Sequence, residues 1–151
     1  MNEKVIQKGI KEKLGKEIPD YATKDFPVDI TSYSPIHPKG ELLIKSAGFR
    51  AVKYVDRQNQ MDILRVGNFT IMEYQWRVDL AVRDIRSTEP IYDLTDLAIE
   101  SMKQVVLDSD GQTEEWGTFY LSDASEPDFD YEKKYQFRTL LFAIQVLQFN
   151  G

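Results

Sequence analysis

The sequence predicts an α+β fold: a mixed, largely antiparallel β-sheet with a long central strand, one helix packed across it and an amphipathic N-terminal helix. Three observations predict it. From Tyr74 to Arg83 apolar and polar residues alternate with period two, the pattern of a strand with one buried face. Ile91, Leu94, Leu97, Ala98, Ser101, Met102 and Val105 recur at helical spacing. Ile6, Ile10 and Leu14 fall on one narrow arc of a helical wheel. A chain of 151 residues holds these elements in one domain, 1–151, and buries a core without disulfide or metal staples.

The first element is a helix from Glu3 to Lys16, weakened by Gly9 and Gly15 and ended by Pro19. Lys4, Lys8 and Lys11 share its other face, which reads either as a solvated face or as a contact with DNA or an acidic protein surface. Residues 18–40 carry Pro19, Pro27, Pro35 and Pro38 and read as a loop or extended arm, with Phe26 to Ile30 as a candidate edge strand. Strand character begins at Glu41. It runs through Leu42, Leu43 and Ile44 and again from Arg50 to Val55, with Gly48 as a break or bulge. Arg57 to Asp62 is polar and loop-like, and Gly67-Asn68 is a tight-turn candidate.

The strand from Phe69 to Ile85 is the longest. Phe69 and Ile71 have the wrong parity for its buried face, so a bulge near Met72-Glu73 is expected. Seventeen residues would reach roughly 55 Å, against a diameter of roughly 38 Å for a compact chain of this size. Such a strand must bend, break or project, and a projecting strand is a device for assembly. Thr88-Glu89-Pro90 then starts the second helix, which stops before Asp108. Trp116 to Leu121 and Tyr135 to Phe149 complete the strands. Leu140 to Leu147 is apolar on both parities but for Gln145, so both faces should be covered, one of them by a neighbouring subunit.

Composition narrows the chemistry. With no cysteine, thiol catalysis, disulfides and thiolate metal sites are excluded, and a single histidine, His37, excludes multi-histidine metal centres. A net charge of −6 argues against nucleic-acid binding over the whole surface. No apolar run reaches the roughly 18–20 residues of a membrane span. The N-terminus opens an amphipathic segment rather than a signal peptide, so the expected compartment is cytoplasmic.

Asp123, Glu126, Asp128, Asp130 and Glu132 form an acidic loop that offers oxygen ligands for a hard cation, or a metal-dependent hydrolase site. It lacks the glycine and spacing of an EF-hand, and an acidic hairpin loop is the simpler reading. No phosphate-binding glycine motif is present, and no serine has a histidine partner in prospect. The expectation is a protein that is not an enzyme and needs no cofactor or metal.

The order of elements resembles the tail terminator, or tail completion, proteins of long-tailed phages and prophages. The likeness is one of layout. An amphipathic helix and a Pro-rich excursion precede the strand Gly40-Glu41-Leu42-Leu43-Ile44. The long strand ending Val82-Arg83, a helix from Tyr92 to Leu107, the Trp116 strand and the aromatic strand Tyr135 to Phe142 follow.

The resemblance implies a structural subunit, usually of a hexameric ring, that caps the tail tube and joins it to the head or neck. Its implied partners are itself, the tail-tube protein, a head or neck connector and passing DNA, with no membrane. Its implied location is the virion tail, after assembly in the host cytoplasm. On that reading Arg77, Asp79 and Arg83 on the outward face of the long strand would make charged contacts between subunits, and Lys4, Lys8 and Lys11 would line the lumen. The competing reading is a small adaptor domain that uses an exposed strand edge.

Overall fold

The computed structural model describes residues 3–52, 54–56, 61–63, 65–66, 69–107 and 114–149, with side chains undescribed from 53 to 69. Its elements are α1 (Glu3–Glu17), β1 (Ala22–Asp25), β2 (Gly40–Ala51), β3 (Tyr54–Asp56), β4 (Met61–Ile63), β5 (Arg65–Val66), β6 (Phe69–Val82), α2 (Glu89–Lys103), β7 (Glu114–Trp116), β8 (Tyr120–Ala124), β9 (Asp128–Asp130) and β10 (Tyr135–Phe149). The α+β class, the N-terminal helix and the largely antiparallel sheet are as the sequence predicts, and the sheet curls into a half-barrel.

The sheet runs β1-β2-β6-β10, and β7, β8 and β9 share the far side of β10. Among the described residues only β1 pairs in parallel, laying Ala22 to Asp25 against Glu41 to Ile44. Parallel neighbours need a crossover, and the Pro-rich arm of residues 26–39 supplies it. The β-character expected at Phe26 to Ile30 lies one step earlier, in β1. Phe26 N–H still bonds Ile44 O at 2.9 Å, but no strand continues beyond it among the described residues.

The central pair, β6 with β10, is continuous in register from Val82↔Gln136 to Phe69↔Phe149. The bulge expected near Met72-Glu73 is therefore not in β6. It sits in the partner β2, where the register against β6 shifts between Ser46 and Gly48 and Gly48 takes φ +104°. Ile71 simply stays on the second face, opposite Leu147. β6 also ends at Val82 rather than Ile85, although Arg83 N–H still bonds Lys39 O one register step beyond Gly40↔Val82. At the start of β2, Gly40 has φ +141°, and a Cβ there would lie 2.0 Å from Ala81 O, so the close strand approach admits only glycine.

Residues of even number on β6, on β10 and, before its bulge, on β2 form the helix-covered face. Leu42, Ile44, Trp76, Val78, Leu80, Leu140, Phe142, Ile144 and Val146 are all buried there, with Ile6, Ile10 and Leu14 of α1 and Ile91, Leu94, Ala98 and Met102 of α2. Each such apolar side chain contributes roughly 1.5–3 kcal/mol. Gly9, unfavourable in an isolated helix, allows Leu107 to approach α1, where a Cβ would meet Leu107 Cδ2 at 3.3 Å.

Other boundaries moved. α2 ends at Lys103, where Val105 N–H closes a tight turn on Met102 O, and Leu97, assigned to its apolar stripe, is exposed. The single strand expected at Trp116 to Leu121 is split into β7 and β8, whose registers against β10 differ by one residue, Trp116 opposing Val146 and Tyr120 opposing Ala143. The acidic loop contains a strand of its own, β9, paired with Tyr135 to Phe137. Met61 to Asp62, read as loop, belongs to β4, which pairs with β3. Residues 57–60 and the turn candidate Gly67-Asn68 lie outside the described residues.

Candidate assembly surface

Odd-numbered residues of β6, of β10 and of β2 before its bulge face the other way, and this second face sets charged groups among apolar ones such as Leu43 and Phe137. Glu41 shares it with Asp79 and Arg77 of β6. Glu41 is fully buried and is held by Lys24 Nζ at 2.5 Å, by the Tyr33 hydroxyl, and by the N–H groups of Ile36 and His37 at 3.2 and 3.3 Å. Burial alone pushes the Glu41 carboxyl up, but the bonds from Lys24, Tyr33, His37 and Ile36 outweigh it and hold it below the usual carboxylate range. Tyr33 moves the other way: burial, then the bond to Glu41, raises its phenol. Because Tyr33, Ile36 and His37 all lie in the arm, one buried carboxylate fastens the arm to the sheet.

Of the residues singled out in sequence, Arg77 and Asp79 are together. They form a two-pronged ion pair, Nε to Oδ1 at 2.7 Å and Nη2 to Oδ2 at 2.8 Å. The same guanidinium lies 5.0 Å from the Phe26 ring, which also carries Lys45 Nζ at 4.3 Å. Arg83 is apart from them and donates from Nη1 to Pro35 O at 2.7 Å, a second anchor for the arm. Beneath the arm is a cavity of about 300 Å³, walled by Tyr33, Leu43, Arg77, Asp79, Tyr135 and Lys133. Lys133 closes it by donating to the carbonyls of Thr31 and Tyr33 at 2.6 and 3.1 Å.

Further along the same face Arg50 pairs with Glu73 at 3.1 Å, and the Tyr120 hydroxyl donates to Glu73 from the opposite side of the sheet at 3.1 Å. Burial, then the bond to Glu73, raises the Tyr120 phenol. This network and the Glu41 knot were not found by sequence reasoning. The available signal was an acid at an odd position inside an apolar strand: Glu41 beside Leu42-Leu43-Ile44, and Glu73 between Met72 and Tyr74.

The lysines of α1 line a separate groove of about 610 Å³ between that helix and the β1–β2 edge. Lys11 pairs with Asp25 at 3.3 Å and Lys8 with Glu12 at 3.9 Å. Gln7 builds the groove floor. Its Nε2 donates to Asp25 Oδ1 at 2.9 Å and to Ile44 O at 3.0 Å, and its Oε1 accepts Trp76 Nε1–H at 2.5 Å. The bond from Gln7 lowers the Asp25 carboxyl, aided by Lys11.

The acidic-loop residues do not converge. Asp123, Asp128 and Asp130 each accept a backbone N–H, from Ala124, Phe129 and Lys133 respectively. Among the described residues no three carboxylate or imidazole groups stand close enough to hold a metal ion. His37 has a structural part, accepting Lys39 N–H on Nδ1 at 3.2 Å.

These features define an α+β chain in which Glu41, Arg83 and Lys133 bind the arm to the sheet and the Arg50–Glu73 pair joins β2 to β6. No protein-family model matches the sequence, and no curated protein is found to be similar to it.

Proposed function

We propose that this chain is a structural subunit of a phage-like tail, a terminator that forms a ring, caps the tail tube and joins it to the head or neck. The observation that supports this is the size of the central strands against the size of the chain. β6 and β10 span 14 and 15 residues and pair without interruption. Fourteen residues reach about 46 Å along the strand, beyond the roughly 38 Å diameter of a compact chain of this length. Their far ends leave Ile71 and Leu147 only half-buried on the second face, surface that a neighbour would cover.

Closed rings use heterologous contacts, in which two different surfaces of the chain meet. Electron microscopy of the purified protein at low salt and high concentration tests the reading. Closed rings of roughly six subunits with an axial hole support it. Uniform single subunits of 17.6 kDa contradict it.

A specific observation also favours the adaptor reading. The outer edge of β2 from Lys45 to Ala51 faces no strand among the described residues, since β1 pairs only up to Ile44. An open edge of that length accepts a strand from another protein. The ring would occupy this edge with a second copy, so the oligomeric state separates the two readings.

A further inference from the structure

Among the described residues the sheet has two open sides, one strongly acidic and the other with a slight excess of cations. On one side lie β1, the unpaired outer edge of β2 from Lys45 to Ala51, and the lysine face of α1. Around this edge stand Lys4, Lys8, Lys11, Lys45 and Arg50 against Glu3, Glu12, Asp25 and Glu73, five cations to four carboxylates. Lys4 has no salt bridge among the described residues, and the Arg50 side chain is 70% exposed although Glu73 holds one edge of it.

On the other side lie β7, β8 and β9, which pair, among the described residues, with β10 alone. Residues 114–132, which form that edge, contain seven carboxylates and no lysine or arginine. Asp123, Glu126, Asp128 and Glu132 are exposed there and make no salt bridge among the described residues. Lys133, which follows, is turned inward onto the arm carbonyls, while Lys134 is exposed. Each edge also presents an exposed aromatic, Phe49 on the first and Tyr120 and Tyr131 on the second, the residue type that anchors protein interfaces.

We propose that the occupant of each edge is a second copy of this chain, joined head to tail, with the acidic β7–β8–β9 edge of one copy seated on the lysine-lined β2–α1 edge of the next. The proposal rests on the ring reading and names the surfaces that close it. Charge decides the orientation. Acidic edge against acidic edge would juxtapose like charges, which costs several kcal/mol at an interface. A two-fold dimer through that side is thus disfavoured, and seating it on the lysine-lined edge of a second copy gives a heterologous contact. The proposal also assigns the lysines of α1 to a protein contact rather than to passing DNA.

The test is a pair of charge reversals at exposed positions, read by light scattering after size exclusion. One variant carries Glu126→Lys, Asp128→Lys and Glu132→Lys. The other carries Lys4→Glu, Lys8→Glu and Lys45→Glu. Each alone is expected to raise the concentration needed for assembly by roughly 100-fold or more, with an unchanged circular dichroism spectrum. Mixed in equal amounts they should assemble again in alternation, because the altered edges of the two variants complement each other and so do their unaltered edges. A single chain carrying all six changes should assemble by itself. Salt at about 1 M, where the screening length is about 3 Å, should weaken the wild-type assembly.

A wild type that forms rings while neither variant changes its mass would overturn the edge assignment and leave the ring reading standing. Loss of assembly in both variants without recovery on mixing would also overturn it. A wild type that stays single at high concentration and low salt would overturn both.

Discussion

The two faces of the sheet are held by different forces. The helix-covered face is a continuous apolar layer in which Trp76, Phe142, Ile10 and Leu94 are almost entirely buried. The second face is covered by an arm without regular structure, fastened at a few polar points: Glu41 to Tyr33, His37 and Ile36, Arg83 to Pro35, Lys133 to Thr31 and Tyr33. Burial on the first face is non-directional and tolerant of sequence. The second depends on particular donors meeting particular acceptors, where losing one partner leaves the other unsatisfied. The first face therefore supplies stability. The second fixes where one segment lies, and with it the shape of the surface presented to a neighbour.

The largest way to sharpen that contrast is Trp76→Ala. It should cost about 3–5 kcal/mol in urea unfolding through the cavity it leaves, with a further loss because Gln7 Oε1 loses its donor. A cost near zero would mean that the helix-covered face is not the stabilising one.

Glu41→Gln should come next, at about 2 kcal/mol near neutral pH. The Glu41 carboxyl is held below its usual range in the folded chain. Its contribution is thus present above the unfolded value of about 4.3 and is lost as pH falls through the lower folded value. The difference between wild type and Glu41→Gln should shrink on acidification below about pH 4, and a constant difference would count against the knot.

Gln7→Ala should cost about 1–2 kcal/mol, because Trp76 Nε1–H loses its acceptor at the groove floor, while Ile44 O keeps the bond from Phe26 N–H. Smallest is Arg83→Ala, expected at about 1 kcal/mol or less in global stability. Its main effect should be faster proteolysis and amide exchange in residues 26–38. An arm that stays equally protected would show that Arg83 does not anchor it.

How much of this was legible in sequence follows the same division. Periodicity records burial, so Ile6-Ile10-Leu14, the Tyr74 to Val82 alternation and the limits of β10 were readable from residue spacing. Gly48 was readable as a bulge because a positive φ leaves few alternatives. The arm's docking was not readable, since it rests on contacts such as Glu41 with Tyr33 and Arg83 with Pro35 that have no local period. The bulge was placed in the wrong strand for a related reason. The parity of Ile71 signals burial on one face only, whereas Ile71 lies on the second face with Leu147 as its neighbour. The candidate residues Arg77 and Asp79 were readable as a like-facing pair at spacing two. That they bind each other, while Arg83 serves the arm, depends on side-chain geometry that spacing does not encode. The contrast in charge between the two sheet edges became visible only when topology placed α1 and β2 at one end and residues 114–132 at the other.

The most direct test is amide hydrogen exchange on dilute and on concentrated protein, with the mass of each sample measured in parallel. As the mass rises above 17.6 kDa, exchange should slow at the Lys45 to Ala51 edge of β2 and in β8, and stay unchanged in α2 and in the arm. A mass that never rises, or one that rises with no slowing at either edge, would contradict the claim that this chain works by joining its sheet edges to further copies of itself.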